Sequence, residues 1–165
     1  HHMIYFMGID PGLNKTGVGI VGWNGGKLSY AGHALVKSNA KATFIDRLGS
    51  IISGVQAELG KYELHSAAVE DVFYSVNAKS ALLLGQTRGA ILATLIAAKL
   101  PAVCEFTALQ IKQAVVGYGK AEKEQVRKMV ELHLNIEMGT KLPMDISDAL
   151  ACAICLAQNQ TSRAY

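Results

Sequence analysis

Cysteine, proline and tryptophan are scarce in this sequence, which has three cysteines, three prolines and one tryptophan among 165 residues. A small and odd number of cysteines cannot build the disulfide framework of a small secreted domain. A hydrophobic share of 50% and a charged share of 18% exclude a disordered chain. We therefore expect a compact domain with reduced thiols, located in the cytoplasm.

Long hydrophobic runs are also absent. The longest run covers residues 90–98 and ends at Lys99, whereas a membrane-spanning helix needs about 18 apolar residues. The apolar segment at the start of the chain lacks a basic leader and runs directly into an Asp-Pro-Gly turn. We therefore predict no membrane association, and we interpret His1 and His2 as the remnant of an expression tag.

Patterns of apolar residues predict strands and helices along the whole chain. Short glycine-rich turns separate the first three apolar segments, which are predicted to form an antiparallel meander. Five strands are predicted at residues 4–9, 16–23, 27–36, 66–72 and 102–106, and five helices at residues 43–59, 78–100, 107–116, 121–134 and 145–157. Thr43, Asn77 and Thr107 stand at helix starts, where their side chains can cap backbone N–H groups.

The order of these elements predicts an α/β fold. Three antiparallel strands followed by alternating helices and strands give one mixed five-stranded sheet with helices on both faces. No linker, internal repeat or low-complexity segment divides the chain. We therefore predict one domain over residues 3–158, followed by a short tail over residues 159–165.

Four acidic residues stand where predicted strands end or a helix begins. Asp10 follows the first strand, and Glu70 lies near the end of the fourth. Asp145 and Asp148 are three residues apart at the start of the last helix, so their side chains point to the same helical face. If the four carboxylates converge, cations must offset their mutual repulsion, and an all-oxygen ligand set suits Mg²⁺ or Mn²⁺. Two such ions support in-line hydrolysis of phosphodiesters.

Each of these acids also has a purely structural interpretation. Asp10 before Pro-Gly fits an ordinary turn, Asp145 and Asp148 fit a helix cap, and Glu70 with Asp71 fits a solvated strand end. Their position beside apolar core segments favours the metal site, because a carboxylate at the edge of a core needs a partner.

A C-x-x-C pattern, formed by Cys152 and Cys155, lies within an apolar helical segment. No second pair of cysteine or histidine residues is near it in the sequence. Free cysteine in such surroundings behaves as a small hydrophobic residue. We therefore predict buried thiols here rather than metal ligands.

Five motifs follow one another along the chain: Gly-Ile-Asp-Pro-Gly at residues 8–12, Thr-Gly at 16–17, Val-Glu-Asp-Val-Phe at 69–73, Gly-Gln-x-Arg-Gly at 85–89 and Asp-x-x-Asp-Ala-Leu at 145–150. In this order they resemble the RuvC family of bacterial Holliday junction resolvases, and the resemblance covers nearly the whole chain. It implies a ribonuclease-H-like fold and a homodimeric, Mg²⁺-dependent endonuclease. Such an enzyme nicks two opposed strands of a four-way DNA junction during recombination and repair.

The resemblance assigns catalytic and metal-binding roles to Asp10, Glu70, Asp145 and Asp148. It implies two Mg²⁺ ions per active site, replaceable by Mn²⁺, with Asp10 between the ions and Glu70 and Asp148 holding one each. Asp145 either supports a ligand position or assists the attacking water. Asp71 is excluded from the site, because neighbouring strand residues face opposite sides of a sheet.

The resemblance also assigns DNA contacts to Phe73, Lys112 and Lys123. Phe73 matches an aromatic position that stacks on unpaired junction bases, and the two lysines match positions that contact DNA near the scissile phosphate. The neighbouring Arg127 and Lys128 fit a DNA contact and a solvated helix with i to i+4 ion pairs equally well.

The helix predicted over residues 78–98 carries a small residue at every fourth position, at residues 81, 85, 89, 93 and 97. Such a stripe permits the close approach of another helix, and two glycines within a helix cost about 1 kcal/mol each relative to alanine. The stripe fits either packing on the chain's own sheet or a homodimer interface, and the resemblance favours the homodimer. The resemblance also implies the RuvA/RuvB branch-migration complex as a partner.

Three other functions are compatible with parts of the sequence. An actin-like ATPase also begins with a strand followed by Asp-x-Gly, but it needs a second copy of that motif, for which this chain has no room. Another ribonuclease-H-like nuclease would cleave RNA–DNA hybrids. A catalytically silent scaffold would bind junctions without cleaving them.

Overall fold

The computed structural model describes residues 2–72, 77–137, 139 and 142–162. All five predicted strands and all five predicted helices are present in the predicted order. The elements are β1 (Ile4–Asp10), β2 (Lys15–Asn24), β3 (Lys27–Lys37), α1 (Phe44–Leu59), β4 (Leu64–Asp71), α2 (Ala78–Ala97), β5 (Ala102–Thr107), α3 (Ala108–Val115), α4 (Lys123–Leu134) and α5 (Met144–Ser162).

The five strands form one mixed sheet in the order β3-β2-β1-β4-β5. The meander β1-β2-β3 is antiparallel, whereas β4 lies parallel to β1 and β5 parallel to β4. The register pairs Ile9 with Val69. Since β1 and β4 run in the same direction, their next residues, Asp10 and Glu70, lie side by side at one edge of the sheet.

Side-chain alternation divides the core between the two faces of the sheet. On β1, Met7 and Ile9 belong to the apolar cluster under α1 and α2, whereas Phe6 belongs to the cluster formed with α3, α4 and α5. Both clusters are fully buried at their centres, as Ile91 on α2 and Leu150 on α5 illustrate. The sheet is therefore covered on both faces, as predicted.

The contact between α5 and the sheet depends on glycine at two positions. A Cβ atom added to Gly8 on β1 would overlap backbone atoms of Ala149 and Ala153, and one added to Gly17 on β2 would overlap the carbonyl oxygen of Asp145. With no side chains in between, the α5 backbone lies directly on the β1 and β2 backbones. This contact brings the first turn of α5 to the sheet edge where β1 ends.

Helix starts follow the capping residues predicted from the sequence. The Thr43 side chain accepts a hydrogen bond from the Asp46 amide at 3.2 Å, and the Asn77 side chain accepts one from the Ser80 amide at 2.8 Å. Thr107 forms a reciprocal capping box with Gln110. These contacts satisfy backbone N–H groups that a helix leaves without intrahelical partners.

Three helix boundaries differ from the predictions by two residues or more. α2 ends at Ala97 rather than at residue 100, because Lys99 adopts a left-handed conformation with φ 58°. α4 begins at Lys123 rather than at Ala121, which is buried ahead of the helix. α5 continues to Ser162, so the boundary predicted at residue 158 lies within it; no glycine or proline interrupts that segment.

α2 is long and apolar enough to cross a membrane, judged by length and composition alone, although its uninterrupted apolar run is short. The length of the uninterrupted apolar run therefore excluded a membrane-spanning helix too readily. In the structure the side of α2 that carries Thr87, Ile91 and Leu95 is buried against the protein. The small-residue stripe is exposed, so it does not pack on the chain's own sheet.

None of the three cysteines forms a disulfide. Cys152 and Cys155 lie on the side of α5 that faces the core and are buried, as predicted. Burial raises the pKa of both thiols, to about 11 for Cys155. These residues are therefore components of the core.

Candidate functional site

The four predicted acids line one cleft at the edge of the sheet. Asp10, Glu70, Asp145 and Asp148 border a cavity of about 480 Å³. Two strands and the first turns of one helix thus bring together carboxylates that are up to 138 positions apart in the sequence, from residue 10 to residue 148. Apolar residues, among them Ile111, line the same cavity.

Asp10 is the most perturbed of these acids. Burial is the largest cause, and together with the charges of Glu70, Asp148 and Asp145 it raises the pKa of the Asp10 carboxyl to about 9. A hydrogen bond between the Asp10 and Glu70 side chains raises the pKa of Asp10 and lowers that of Glu70. In the absence of a cation, Asp10 is therefore protonated and donates this hydrogen bond to the Glu70 carboxylate.

Glu70 and Asp148 also have raised pKa values, and burial is the largest cause in both. Repulsion from Asp148 adds to the shift of Glu70. Lys123 opposes the shift at both carboxyls, and Lys112 opposes it at Glu70. The cleft therefore concentrates negative charge that two lysines only partly offset.

The donor set of the cleft fits a divalent cation such as Mg²⁺ or Mn²⁺. The four predicted ligands offer only carboxylate oxygens, which these ions prefer. Within the described ranges, no three histidine, cysteine, aspartate or glutamate side chains already surround a common point. A bound cation would offset the mutual repulsion of these carboxylates.

Lys112 and Lys123, the two lysines predicted to contact DNA, both line the same cleft. Lys123 Nζ lies 3.5 Å from Asp148 Oδ2, and its side chain is 70% exposed. Lys128 is exposed and does not line the cleft. Phe73, the predicted stacking residue, lies outside the described residues.

Arg127 is buried, so the expectation of a solvated helix residue was wrong. Its Nη2 donates to the carbonyl oxygens of Gly139 at 2.5 Å and Leu142 at 2.8 Å, so its guanidinium group is bound within the protein. These bonds connect α4 to Gly139 and Leu142, ahead of α5. Its position in the sequence carried a signal, because Arg127 precedes the buried Val130 and Leu134 by three and seven residues and so shares their helical face.

Arg88, the arginine of the Gly-Gln-x-Arg-Gly motif, contacts the backbone of the site residue Glu70, a role that the motif did not predict. Its Nε donates a hydrogen bond of 3.1 Å to the carbonyl oxygen of Glu70. Its Nη2 forms ion pairs with Glu105 and, at 3.6 Å, with Asp71. Asp71 does not line the cleft, so this ion pair gives it a structural partner outside the cleft.

A family model described as "Crossover junction endodeoxyribonuclease RuvC" matches residues 6–156 of this chain. The crossover junction endodeoxyribonuclease RuvC of Ralstonia pickettii (strain 12J) is 48% identical over 151 residues, which cover 92% of this chain and 82% of the relative. A second relative of the same name, from Dechloromonas aromatica (strain RCB), is 47% identical and is covered to 83%.

Among solved structures, T. thermophilus RuvC in complex with a Holliday junction substrate matches with a TM-score of 0.88 at 31% identity. The match covers 98% of this chain and 97% of that one. It confirms the fold that the resemblance implied, a mixed sheet covered by helices on both faces. With nearly the entire domain matched in sequence and in structure, the chain belongs to the RuvC family of crossover junction endodeoxyribonucleases.

Proposed function

We propose that this chain is a metal-dependent endonuclease that resolves four-way DNA junctions by nicking two opposed strands. The observation that carries this proposal is the cleft itself, in which four carboxylates and two lysines meet in a chain of the RuvC family. A carboxylate cluster suits metal-assisted phosphodiester hydrolysis, and the lysines suit a phosphate backbone.

Asp10, Glu70, Asp145 and Asp148 would hold two divalent cations, Mg²⁺ or Mn²⁺, which supply an activated water and stabilise the leaving oxygen. Asp10 must release its proton before it can act as a ligand, because only the carboxylate form binds such a cation. Release of this proton also ends its hydrogen bond to Glu70 and frees both carboxylates for metal binding.

Lys112 and Lys123 bind and orient the phosphate beside the carboxylates. Lys123 is paired with Asp148 in this structure, and a cation held by Asp148 would leave the Lys123 ammonium group available to a DNA phosphate. Phe73 lies two residues beyond the end of β4 in the sequence, and we assign it the stacking contact with unpaired junction bases. Exposed stacking of this kind contributes about 1–3 kcal/mol per base.

A homodimer through α2 completes the proposal. The outer face of α2 exposes its small-residue stripe together with Leu82 and Ile96, which are 64% and 65% exposed. Cβ atoms added to Gly85 and Gly89 would meet nothing within 4 Å, so a second helix can approach closely. A two-fold axis at this face would present two identical clefts to two strands of a junction.

The RuvA/RuvB branch-migration complex and a cytoplasmic location belong to the same proposal. A junction resolvase acts where chromosomal DNA and the motor that moves the junction are found. Three cysteines without a disulfide are in keeping with a reducing compartment.

The test compares a mobile four-way junction, a linear duplex of the same sequence and an RNA–DNA hybrid, each incubated with the wild-type chain and Mg²⁺. We expect paired nicks at symmetric positions in the junction and none in the other substrates. Asp10→Asn should abolish cleavage while junction affinity stays within a few-fold, and Asp46→Asn, an exposed change on α1, should cleave normally.

Two outcomes would replace the proposal. Cleavage of the hybrid with an intact junction would indicate a different ribonuclease-H-like nuclease. Tight junction binding by the wild type without nicks in Mg²⁺ or Mn²⁺ would indicate a scaffold that has no catalytic activity.

A further inference from the structure

Two lysines face each other across the meander at the sheet edge that carries Asp10. The register of β2 and β3 pairs Lys15 directly with Lys37, and both side chains are exposed. Directly opposed like charges in an antiparallel pair are destabilising. Among the described residues, no salt bridge joins either lysine to an acid.

The lysine pair lies on the same face of the sheet as the catalytic helix. The side of Gly17 from which a side chain would project faces Asp145 on α5, and a Cβ atom added there would lie 3.3 Å from Asp145 Cβ. Alternation with a period of two places Lys15 on the same face as Gly17, about 7 Å away along β2. Lys37 shares that face because it is paired with Lys15, just as Leu35 is paired with Gly17.

The ends of β2 and β3 that carry the pair are held in place by hydrogen bonds. The Ser38 amide donates to the Asn14 carbonyl oxygen at 3.1 Å, and Ser38 Oγ donates to the Leu13 carbonyl oxygen at 2.5 Å. Arg47 on α1 donates from Nε to Ser38 Oγ at 3.0 Å and from Nη2 to Asn14 Oδ1. The two lysines therefore stand on a fixed corner of the sheet and not on a loose loop.

The positions of the basic residues around the cleft form a pattern. Lys112 and Lys123 border the cleft from α3 and α4. Lys15 and Lys37 lie beyond Asp145, on the side of β2 and β3. The carboxylates are thus placed between two pairs of lysines, an arrangement that suits a polyanion longer than the cleft.

We propose that Lys15 and Lys37 form a second phosphate-binding patch, which holds the DNA backbone on the β2–β3 side of the cleft while Lys112 and Lys123 hold it at the scissile phosphate. This inference rests on the proposed function, since it assumes DNA as the substrate. The like-charge repulsion within the pair is relieved when a phosphate lies between the two ammonium groups.

Junction binding measured without cleavage tests the patch. The probe is a fluorescent four-way junction titrated with protein in EDTA, at salt concentrations from about 50 to 200 mM, the range over which phosphate binding weakens steeply. Lys15→Gln/Lys37→Gln should weaken binding about tenfold. It should also reduce the slope of log affinity against log salt by about 0.9 for each phosphate that the variant no longer neutralises. Lys15→Arg/Lys37→Arg should bind as the wild type does.

Lys27→Gln is the matched control, because Lys27 is exposed on the same strand, β3, but at its opposite end. It should leave both affinity and salt slope unchanged. Thermal unfolding serves as a folding control: either single substitution removes a like-charge pair, so the melting temperature should not fall.

A scan with neutral methylphosphonates locates the contact. At one phosphate outside the cleft, the neutral group should weaken wild-type binding and leave the double glutamine variant unaffected. Equal affinity and slope for that variant and the wild type would overturn the patch and would mean that the lysines only protect an edge strand from pairing. Failure of the proposed function is distinct, because the wild type itself would then bind junction no better than linear duplex.

Discussion

The Nε atom of Arg88 on α2 lies 3.1 Å from the carbonyl oxygen of Glu70 on β4. The pairing between β1 and β4 ends at Ile9 and Val69, so Glu70 lies one residue beyond it. The hydrogen bond from Arg88 holds the backbone of Glu70 at this point. Arg88, on the proposed dimer helix α2, thereby positions the proposed metal ligand Glu70.

Arg88→Lys keeps the positive charge beside Asp71 and Glu105 but removes the Nε donor to Glu70. Since groups that orient metal ligands contribute about 10–100-fold to metal affinity or activity, we expect Mn²⁺ binding to weaken about tenfold. Calorimetric titration of Mn²⁺ into the metal-free protein measures this effect. Glu105→Gln, which keeps the bond to Glu70, is the control, and equal Mn²⁺ affinity in all three proteins would show that Arg88 has no positioning role.

Asp10 predicts how the stability of the metal-free protein depends on pH. Its pKa is about 9 in the folded chain against 3.8 for an unperturbed group. Between these values the folded state binds more protons than the unfolded state, so the free energy of unfolding falls as pH rises through this window. Urea unfolding in EDTA across this window should show the fall in the wild type, and it should be smaller in Asp10→Asn. Parallel curves would contradict the assignment.

Arg127→Met should destabilise the fold, because it deprives the carbonyl oxygens of Gly139 and Leu142 of a buried donor. A hydrogen bond from a charged group contributes about 1.5–3 kcal/mol, and we expect a decrease of this size in the free energy of unfolding by urea. Lys128→Met, an exposed change at the next position, should lie within about 0.5 kcal/mol of the wild type. A negligible decrease for Arg127→Met would mean that the segment before α5 is held by other contacts.

Lys123→Gln should weaken junction binding in EDTA and lower the salt slope by about 0.9, the value for one phosphate contact. Lys128→Gln serves as the comparison, because Lys128 is exposed on the same helix but outside the cleft. Equal weakening by both variants would show that α4 attracts DNA through its general charge and not through a placed contact.

Leu82→Glu should convert the proposed dimer into a monomer, because it places a charge on the exposed apolar face of α2. Sedimentation velocity at micromolar concentration distinguishes the two states. Ile45→Glu on α1 is the matched control, because it also places a charge at an exposed apolar position: Ile45 is 75% exposed and Leu82 64%. This control variant should sediment with the mass of the wild type. A wild-type chain that sediments as a monomer would refute the α2 interface.

Local chemistry made most of the fold predictable. Thr43 and Thr107 cap their helices as their side chains suggested, and alternation along β1 assigns Phe6 and Met7 to opposite cores. Helix ends were less predictable, since Lys99 adopts a left-handed conformation that its residue type does not favour.

The residues of the site also differ in how far the sequence predicts them. Asp10 and Asp148 stand beside core segments in the sequence, which is enough to identify them as candidate metal ligands. The roles of Arg88 and Arg127 depend on carbonyl oxygens that are distant in sequence, such as those of Glu70 and Leu142. Composition and periodicity carry no information about which backbone oxygen a long side chain will reach.

The direct backbone contact of α5 with the sheet at Gly8 and Gly17 also bears on which ion the cleft selects. Asp10 belongs to the sheet and Asp148 to the helix, so the spacing between these two elements determines how far apart their oxygens stand. Mg²⁺ requires oxygens at about 2.0–2.1 Å, whereas Ca²⁺ accepts about 2.3–2.6 Å. A single methyl group at either glycine would overlap the α5 backbone and lift the helix, and we expect the widened cleft to accept the larger ion more readily. Two residues without side chains would then influence which size of ion the proposed metal site accepts.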